Sequence, residues 1–473
     1  MSESGANLTN NENNAPDDGA LSKLKASRLG RSMQGDGLRA KAMRGSSWTV
    51  VGFGTGQVIR LGSNLILTRL LFPEAFGLMA LAQVFMQGLS MLSDIGVGPS
   101  IVQNKRGDDP DFLATAWTMQ IIRGFILFAV MAALAYPASK MYEEPILFPV
   151  LIWIGFGAII QGFQSIGMAL ANRKMALREL TIIEFLSQIV GVSVMIGWAA
   201  MYPTVWALVI GGVCASLTRL ALGHRLLKSA ANRFRFDRSA ALEIFHFGKW
   251  VFVATAMTYF GGQGLRLVQG YLVPIDVLGL ISIAVMLGMV VDQLIKRMGS
   301  VVLFPAFAQI YQERPEELAG KLREARTKLF LLSFPFFAVL IVLGRDLIHV
   351  MYDERYHAAG LFLVISATSS AIAAQRTPFG MVLIATGDAF GHALIKGVTA
   401  FARVGAIFVG YSINGVVGML IADIVAQAII YPFEAWRLQS KGLWLPIFDL
   451  AVFSGYLALG AASYFTGPYF FAP

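Results

Sequence analysis

Between Ser47 and Lys105 the chain holds two long apolar segments, 47–69 and 76–99, split by the tight turn Phe72-Pro73-Glu74. Each is long enough to cross a bilayer core of about 30 Å as a helix, which takes about 20 residues. Neither is purely apolar. The first carries Gln57, Arg60 and Asn64, and the second Gln83, Gln87, Ser90 and Asp94. Spacings of three and four residues place each polar set on one helical face. A membrane helix with one polar stripe lines either a wet cavity or a polar helix–helix contact, so this hairpin predicts a protein that passes something polar through the membrane.

The hairpin recurs. Trp48 to Pro73 is matched by Trp250 to Pro274, and RLLFPEAFGLMALAQVF is patterned like QGYLVPIDVLGLISIAV. We read this as an internal duplication, a plan common in transporters that hold substrate between two bundles. Apolar runs fall near 47–69, 76–99, 113–136, 146–170, 180–200, 203–223, 248–271, 277–295, 328–344, 359–385, 392–411, 416–432 and 443–463. The predicted fold is therefore an all-α polytopic membrane protein of two six-helix bundles plus one or two extra C-terminal helices. Composition agrees: 56% of residues are hydrophobic and 14% charged, where a soluble chain carries about 25%. Short alternating segments, the mark of a membrane barrel, are missing from the pattern.

The predicted organisation is a basic, largely disordered tail at 1–46, a first bundle at 47–223, a linker at 224–247, a second bundle at 248–434 and a last helix with a short tail at 435–473. Twenty-seven of the 38 Lys and Arg residues fall in connections on one side of these spans and four on the other. The positive-inside rule then puts the N-terminus in the cytoplasm. The basic tail suits anionic membrane lipids, and topology accounts for its charge without nucleic acid. Segment 313–328, with Pro315 near its start and Glu317/Lys321 one turn apart, reads as a solvated surface helix. The single cysteine, Cys214, rules out an intramolecular disulfide, and the five histidines lack metal-ligand spacing.

Charges inside spans cost roughly 2.5–3.5 kcal/mol each on insertion scales, so they are the first functional candidates. Arg60, Arg123, Arg266, Arg376 and Arg403 lie deep and form the predicted cationic substrate site; arginine grips phosphates and acidic sugars through a forked, permanently charged donor array. Gln57, Asn64, Gln83, Gln87, Asp94, Glu184, Gln263 and Lys396 are the predicted polar lining. Salt bridges that merely hold the bundle together are the competing reading. Arg60 and Arg266 occupy corresponding helices, though out of register. GFGTG at 52–56 lies inside a membrane helix with no strand before it, so Gly52 and Gly56 read as a packing face, not a nucleotide loop. No catalytic residue set and no metal site are visible, and the chain is not expected to be an enzyme.

The pattern LTRLLFPEAFGLMALAQVF, with LSDIGVGPSIVQ and then FLATAWTMQIIRG, resembles the Wzx-type polysaccharide flippases of the MOP superfamily, which also holds MATE exporters and lipid II flippases. The resemblance is most specific over 45–125 and weaker around 245–290. It implies two lobes in a V that alternate between inward- and outward-open states. It further implies an undecaprenyl-pyrophosphate-linked oligosaccharide carried from the cytoplasmic to the periplasmic leaflet of a bacterial inner membrane. Polymerase and chain-length components of polysaccharide assembly are implied partners, no prosthetic group is implied, and H+ or Na+ is the implied coupling ion. Relatives often carry an acid in the helix before the second turn, where this chain reads GGQGLRLVQG with Arg266; coupling through that helix is in doubt. A MATE-like exporter of cations ranks second, because its cavity should be acidic. A membrane polymerase or ligase ranks third, since the external loops are too short to present such chemistry.

Overall fold

Proline occupies the first turn of helices at 73, 110 and 446, where its missing N–H is not needed. Asp109 caps the second of these by accepting from the Asp111 amide, and Asp388 starts a further helix by accepting from the Gly391 amide. The computed structural model built on these signals describes residues 38–93, 97–103, 106–174, 176–227, 231–244, 259, 264–299 and 303–466. In order, the N-terminal half has α1 (Leu38–Leu70), α2 (Pro73–Leu92), α3 (Val97–Gln103), α4 (Pro110–Met141), α5 (Leu147–Gly162), α6 (Gly167–Arg173), α7 (Leu177–Met201) and α8 (Trp206–Leu226). A short helix α9 at 238–244 follows. The C-terminal half has α10 (Gly264–Leu272), α11 (Ile275–Met298), α12 (Phe304–Glu313), α13 (Leu318–Val342), α14 (Gly344–Met351), α15 (Ala359–Gln375), α16 (Thr377–Ala385), α17 (Ala389–Gln439) and α18 (Pro446–Phe465). Seven of the described helices are long and apolar enough to span a membrane, and α5 with α6, bent by 64°, adds an eighth candidate.

α17 counts as one of those seven but is two. Asn414 (φ −146°, ψ 41°) and Gly415 (φ 50°, ψ −136°) break it, and a methyl group at Gly410 would strike the Gly418 carbonyl. The chain doubles back there, so the arms before and after the break run antiparallel, as the separate apolar runs 392–411 and 416–432 require. Other boundaries move. The run 359–385 divides at Arg376 into α15 and α16. Helix α1 starts at Leu38, so the end of the basic tail is helical. Most of the predicted span 248–271 lies outside the described residues.

One apolar core joins both halves, with Leu71, Leu81 and Leu147 in the same cluster as Leu278, Ile283 and Leu363. α1 packs on α7 and α4 on α5; α11 packs on both α2 and α15. Gly52 and Gly56 face Thr181 and Gln188 of α7, the packing face expected from their spacing. The linker is fastened to the N-terminal half. Arg233 and Arg235 reach Asp111, Arg106 reaches Asp237 and Glu243, and the Asp237 amide donates to Thr115.

Segment 313–328 corrects a prediction. Only Pro315–Glu317 is a separate 3-10 turn; α13 continues from Leu318 straight into the apolar span. Its Arg326 is fully buried, not solvated, and pairs with fully buried Asp449 of α18. The guanidinium lies 4.4 Å and 4.6 Å from the ring centres of Phe379 and Phe448. Asp449 also accepts from Tyr431 at 2.6 Å, and Tyr431 accepts from the Trp444 indole at 2.9 Å. This dry network pins α18 to α13 and α17. Asp449→Ala leaves a buried unpaired cation and should destabilise the protein by about 3–5 kcal/mol. Thermal unfolding in detergent measures that loss, and the paired change Arg326→Met with Asp449→Leu should recover most of it.

Candidate functional site

The two halves meet where the repeated hairpins cross. A methyl group added to Gly77 of α2 would collide with the Ile275 carbonyl, and one added to Gly279 of α11 with the Pro73 carbonyl. Each would also lie 3.1 Å from the other glycine's amide nitrogen. The contact is reciprocal: Gly77 relates to Gly279 as Pro73 relates to Ile275. Such symmetry is what a duplicated hairpin gives when its copies pack about a two-fold axis, and glycine alone permits backbones this close.

Around the crossing, side chains tie the halves together at the end that carries the Pro73 and Pro274 turns. Tyr352 donates to Asn64 Oδ1 at 3.0 Å, and Tyr356 to the Leu71 carbonyl at 2.8 Å. Arg355 donates to the Arg69 carbonyl at 3.3 Å and lies over the Phe72 ring. Tyr142 donates to the Leu267 carbonyl at 3.1 Å. Further along the seam Tyr259 sits against Gly88 and donates to the Val84 carbonyl, while Gln57 donates to Gln293 at 3.1 Å. The predicted polar residues Gln57 and Asn64 are therefore buried and join the halves, whereas Gln83 and Gln87 are exposed.

The five deep arginines divide by partner. Arg376 grips Glu434 with two bonds, 2.7 and 2.6 Å long, and both side chains are buried. Arg403 bonds Asp423 at 2.5 Å. Arg123 caps the C-terminal end of α2, donating to the Ser90 carbonyl at 2.6 Å and to Ser93 Oγ at 3.0 Å. Arg266 has no carboxylate partner among the described residues. It sits half-buried in a narrow cleft with Ala80, Leu81, Gln269 and Ser282, and among the described residues its one polar contact is Met289 Sδ at 3.3 Å. Arg60 is exposed, and its guanidinium has no partner among the described residues. Glu184 pairs with Arg219 at 3.3 Å across α7 and α8, and Lys396 is exposed. Asp94 and Gln263 lie outside the described residues.

Sequence reasoning missed the partners. Tyr352, Arg355 and Tyr356 stand in what reads as a short external loop; their one signal is a tyrosine pair at i, i+4. Glu434 lies just beyond the apolar run that ends at residue 432 and so escaped the tally of deep acids.

This bundle shares its fold with solved structures of a lipid II flippase and a multidrug transporter. It matches the lipid II flippase MurJ in an inward closed conformation with a TM-score of 0.66 at 11% identity, covering 90% of this chain and 97% of that one. An inward-facing MATE multidrug resistance transporter of the MOP superfamily matches with a TM-score of 0.62 at 15% identity, over 82% and 95%. Residues 66–360, more than half the chain, match the model of the polysaccharide biosynthesis protein family, and the chain belongs to that family. It is 21% identical over 427 residues to the lipopolysaccharide biosynthesis protein WzxC of Escherichia coli K12, covering 87% of this chain and 86% of that protein. It is 22% identical over 395 residues to the succinoglycan biosynthesis transport protein ExoT of Rhizobium meliloti 1021, over 80% and 78%.

The sealed end gathers three carboxylates. Glu74 of α2 and Asp276 of α11 flank Glu144, and burial first, then these two charges, push the Glu144 carboxyl above its ordinary range. Parting the turns would take Glu144 away from both charges, so the arrangement seen here should hold its proton more tightly than a parted one. Sealing should strengthen as pH falls and weaken as pH rises through the Glu144 value in the sealed state. Spin labels at Tyr136→Cys and Tyr271→Cys, in a Cys214→Ser background, measure this. The short-distance population should grow on acidification, and Glu144→Gln should abolish the pH dependence.

Proposed function

We propose that this protein carries a lipid-linked oligosaccharide with a diphosphate head from the cytoplasmic to the periplasmic leaflet of a bacterial inner membrane. The observation that carries this reading is the division of the arginines. Arg376 and Arg403 are neutralised by carboxylates, while Arg60 and Arg266, in corresponding hairpins of the two halves, are not. A forked cation left unpaired at a seam inside the membrane is costly unless it meets an anion at work. The relatives named for lipopolysaccharide biosynthesis and succinoglycan transport support such cargo, and the lipid II flippase supports a lipid-linked one.

On this reading the basic connections face the cytoplasm, so the sealed Pro73/Pro274 end faces the periplasm. Arg60, Arg266, Gln83 and Gln87 then line a vestibule entered from the cytoplasmic leaflet. The head group binds between the halves while the lipid tail stays in the bilayer, and breaking the Tyr352, Tyr356 and Arg355 contacts opens the other side. The protein moves its cargo without making or breaking a covalent bond, and a proton or sodium gradient drives the cycle. Polymerase and chain-length proteins receive the product. A cation exporter of the same fold would leave acids, not arginines, unpaired at the seam.

Arg60→Ala and Arg266→Ala should each cut export of surface polysaccharide by tenfold or more, the effect of about 1.4 kcal/mol or more of lost head-group binding. Membrane insertion and thermal stability should be unchanged. Polymer yield in a strain lacking the native copy is the measurement, and normal yield from both variants would sink the site.

A further inference from the structure

The C-terminal half contains a line of hydrogen bonds that the seam does not use. Arg376 Nη1 donates to Gln427 Oε1 at 3.4 Å, Gln427 Nε2 donates to Ser369 Oγ at 2.7 Å, and Ser369 Oγ donates to Asp423 Oδ2 at 2.5 Å. Every donor in this series points towards Asp423. Its other oxygen, Oδ1, accepts from Arg403 Nε at 2.5 Å. Glu434 closes the far end through its two bonds to Arg376. The line thus joins two carboxylates through α15 and both arms of α17.

A purely structural ion pair has a different appearance in the same half of the molecule. Arg326 and Asp449 are dry, with side-chain exposures of 0% and 1%. Arg403 and Asp423 keep 28% and 13%. The second pair is thus less enclosed than the first. Its surroundings are also basic. Arg403 and Lys396 come from the first arm of α17, with His392 one turn before Lys396; Glu434 comes from the second arm. Arg376 follows α15, while Asp292 and Lys296, bonded to each other at 2.6 Å, come from α11. Asp292 is within electrostatic reach of Arg403, and Glu434, Arg376, Lys296 and Arg403 are within reach of Lys396. Residues 377–385 of α16 offer no titratable group. Helix α10, which carries Arg266, packs directly on α17.

We propose that Asp423 is a proton-binding site that exchanges its ion pair with Arg403 for a proton, releasing Arg403 to an anionic head group. This rests on the diphosphate reading above for the identity of the anion. The exchange balances. A proton from water adds to a lone pair of Asp423 Oδ1, the contact with Arg403 Nε opens, and the guanidinium keeps its charge. The added positive charge is matched by one negative charge of the incoming phosphate, and no covalent bond other than O–H forms. Proton and anion therefore favour each other's binding, and by linkage the effect is reciprocal. Because α17 packs on α10, the exchange acts on the helix that presents Arg266. Coupling then does not need an acid in α10.

Difference infrared spectroscopy on the ligand-free protein in nanodiscs, stepped from neutral to mildly acidic pH, reads the proton directly. The wild type should gain the C=O stretch of a protonated carboxylic acid. Asp423→Asn should lose that band, Asp292→Asn should keep it, and Asp423→Glu should retain it at a shifted frequency. The Glu variant provides the same readout should the Asn variant not fold. Inorganic pyrophosphate added to the wild type should draw protons from the medium, and this uptake should vanish in Asp423→Asn. A band untouched by both Asp423 substitutions, or uptake that survives Asp423→Asn, overturns the proposal. Failure of pyrophosphate to bind the wild type counts against the diphosphate reading instead, and the infrared result still decides the proton site.

Discussion

The crossing of α2 and α11 at Gly77 and Gly279 sets the distance between the two halves of the molecule. Nothing larger than hydrogen fits between each glycine and the opposite carbonyl, so the backbones meet and everything behind them is placed by that contact. Tyr352, Arg355 and Tyr356 can reach Asn64, Arg69 and Leu71 only because the turns ahead of α2 and α11 are already side by side. The contact is closest at the end that carries the two turns, and it continues along the seam through Tyr259 against Gly88 and Gln57 with Gln293.

Charge is divided between two tasks. In the C-terminal half, Arg326 with Asp449 and Arg376 with Glu434 are buried and paired, and they hold helices in register. A low-dielectric interior demands such pairing, since an unpaired charge there costs several kcal/mol. Arg60 is exposed and Arg266 only half-buried, and neither has a carboxylate partner among the described residues. The Arg403–Asp423 pair is intermediate: closed, but less enclosed than Arg326 with Asp449. On the readings proposed above, binding, bracing and switching fall to different members of one residue type, told apart by what each touches.

Much of the architecture is legible in the sequence because membrane helices must satisfy their own backbones and advertise it by length. The repeat is legible too, in Pro73-x-x-x-Gly77 and the matching run that ends at Gly279, but the meeting of the two copies at those glycines is not. Boundaries inside apolar runs are less so. Nothing in the hydropathy of 359–385 signals the break at Arg376, and the dense charges of ERPEELAGKLREARTK hide Arg326, which the structure draws into the core. The site is legible as a list of residue types but not as a set of partners. Glu434 is 58 residues from Arg376 and Tyr352 is 288 from Asn64, and no periodicity reports such meetings.

On the proposed function, the unpaired guanidinium groups face a chamber that opens first to the cytoplasm. Replacing Arg266 by cysteine in a Cys214→Ala background, and adding membrane-impermeant maleimide to sealed inside-out or right-side-out vesicles, tests this most directly. Labelling from the cytoplasmic side that undecaprenyl pyrophosphate suppresses is the expected result. A cysteine at 266 that stays unlabelled from both sides would contradict it.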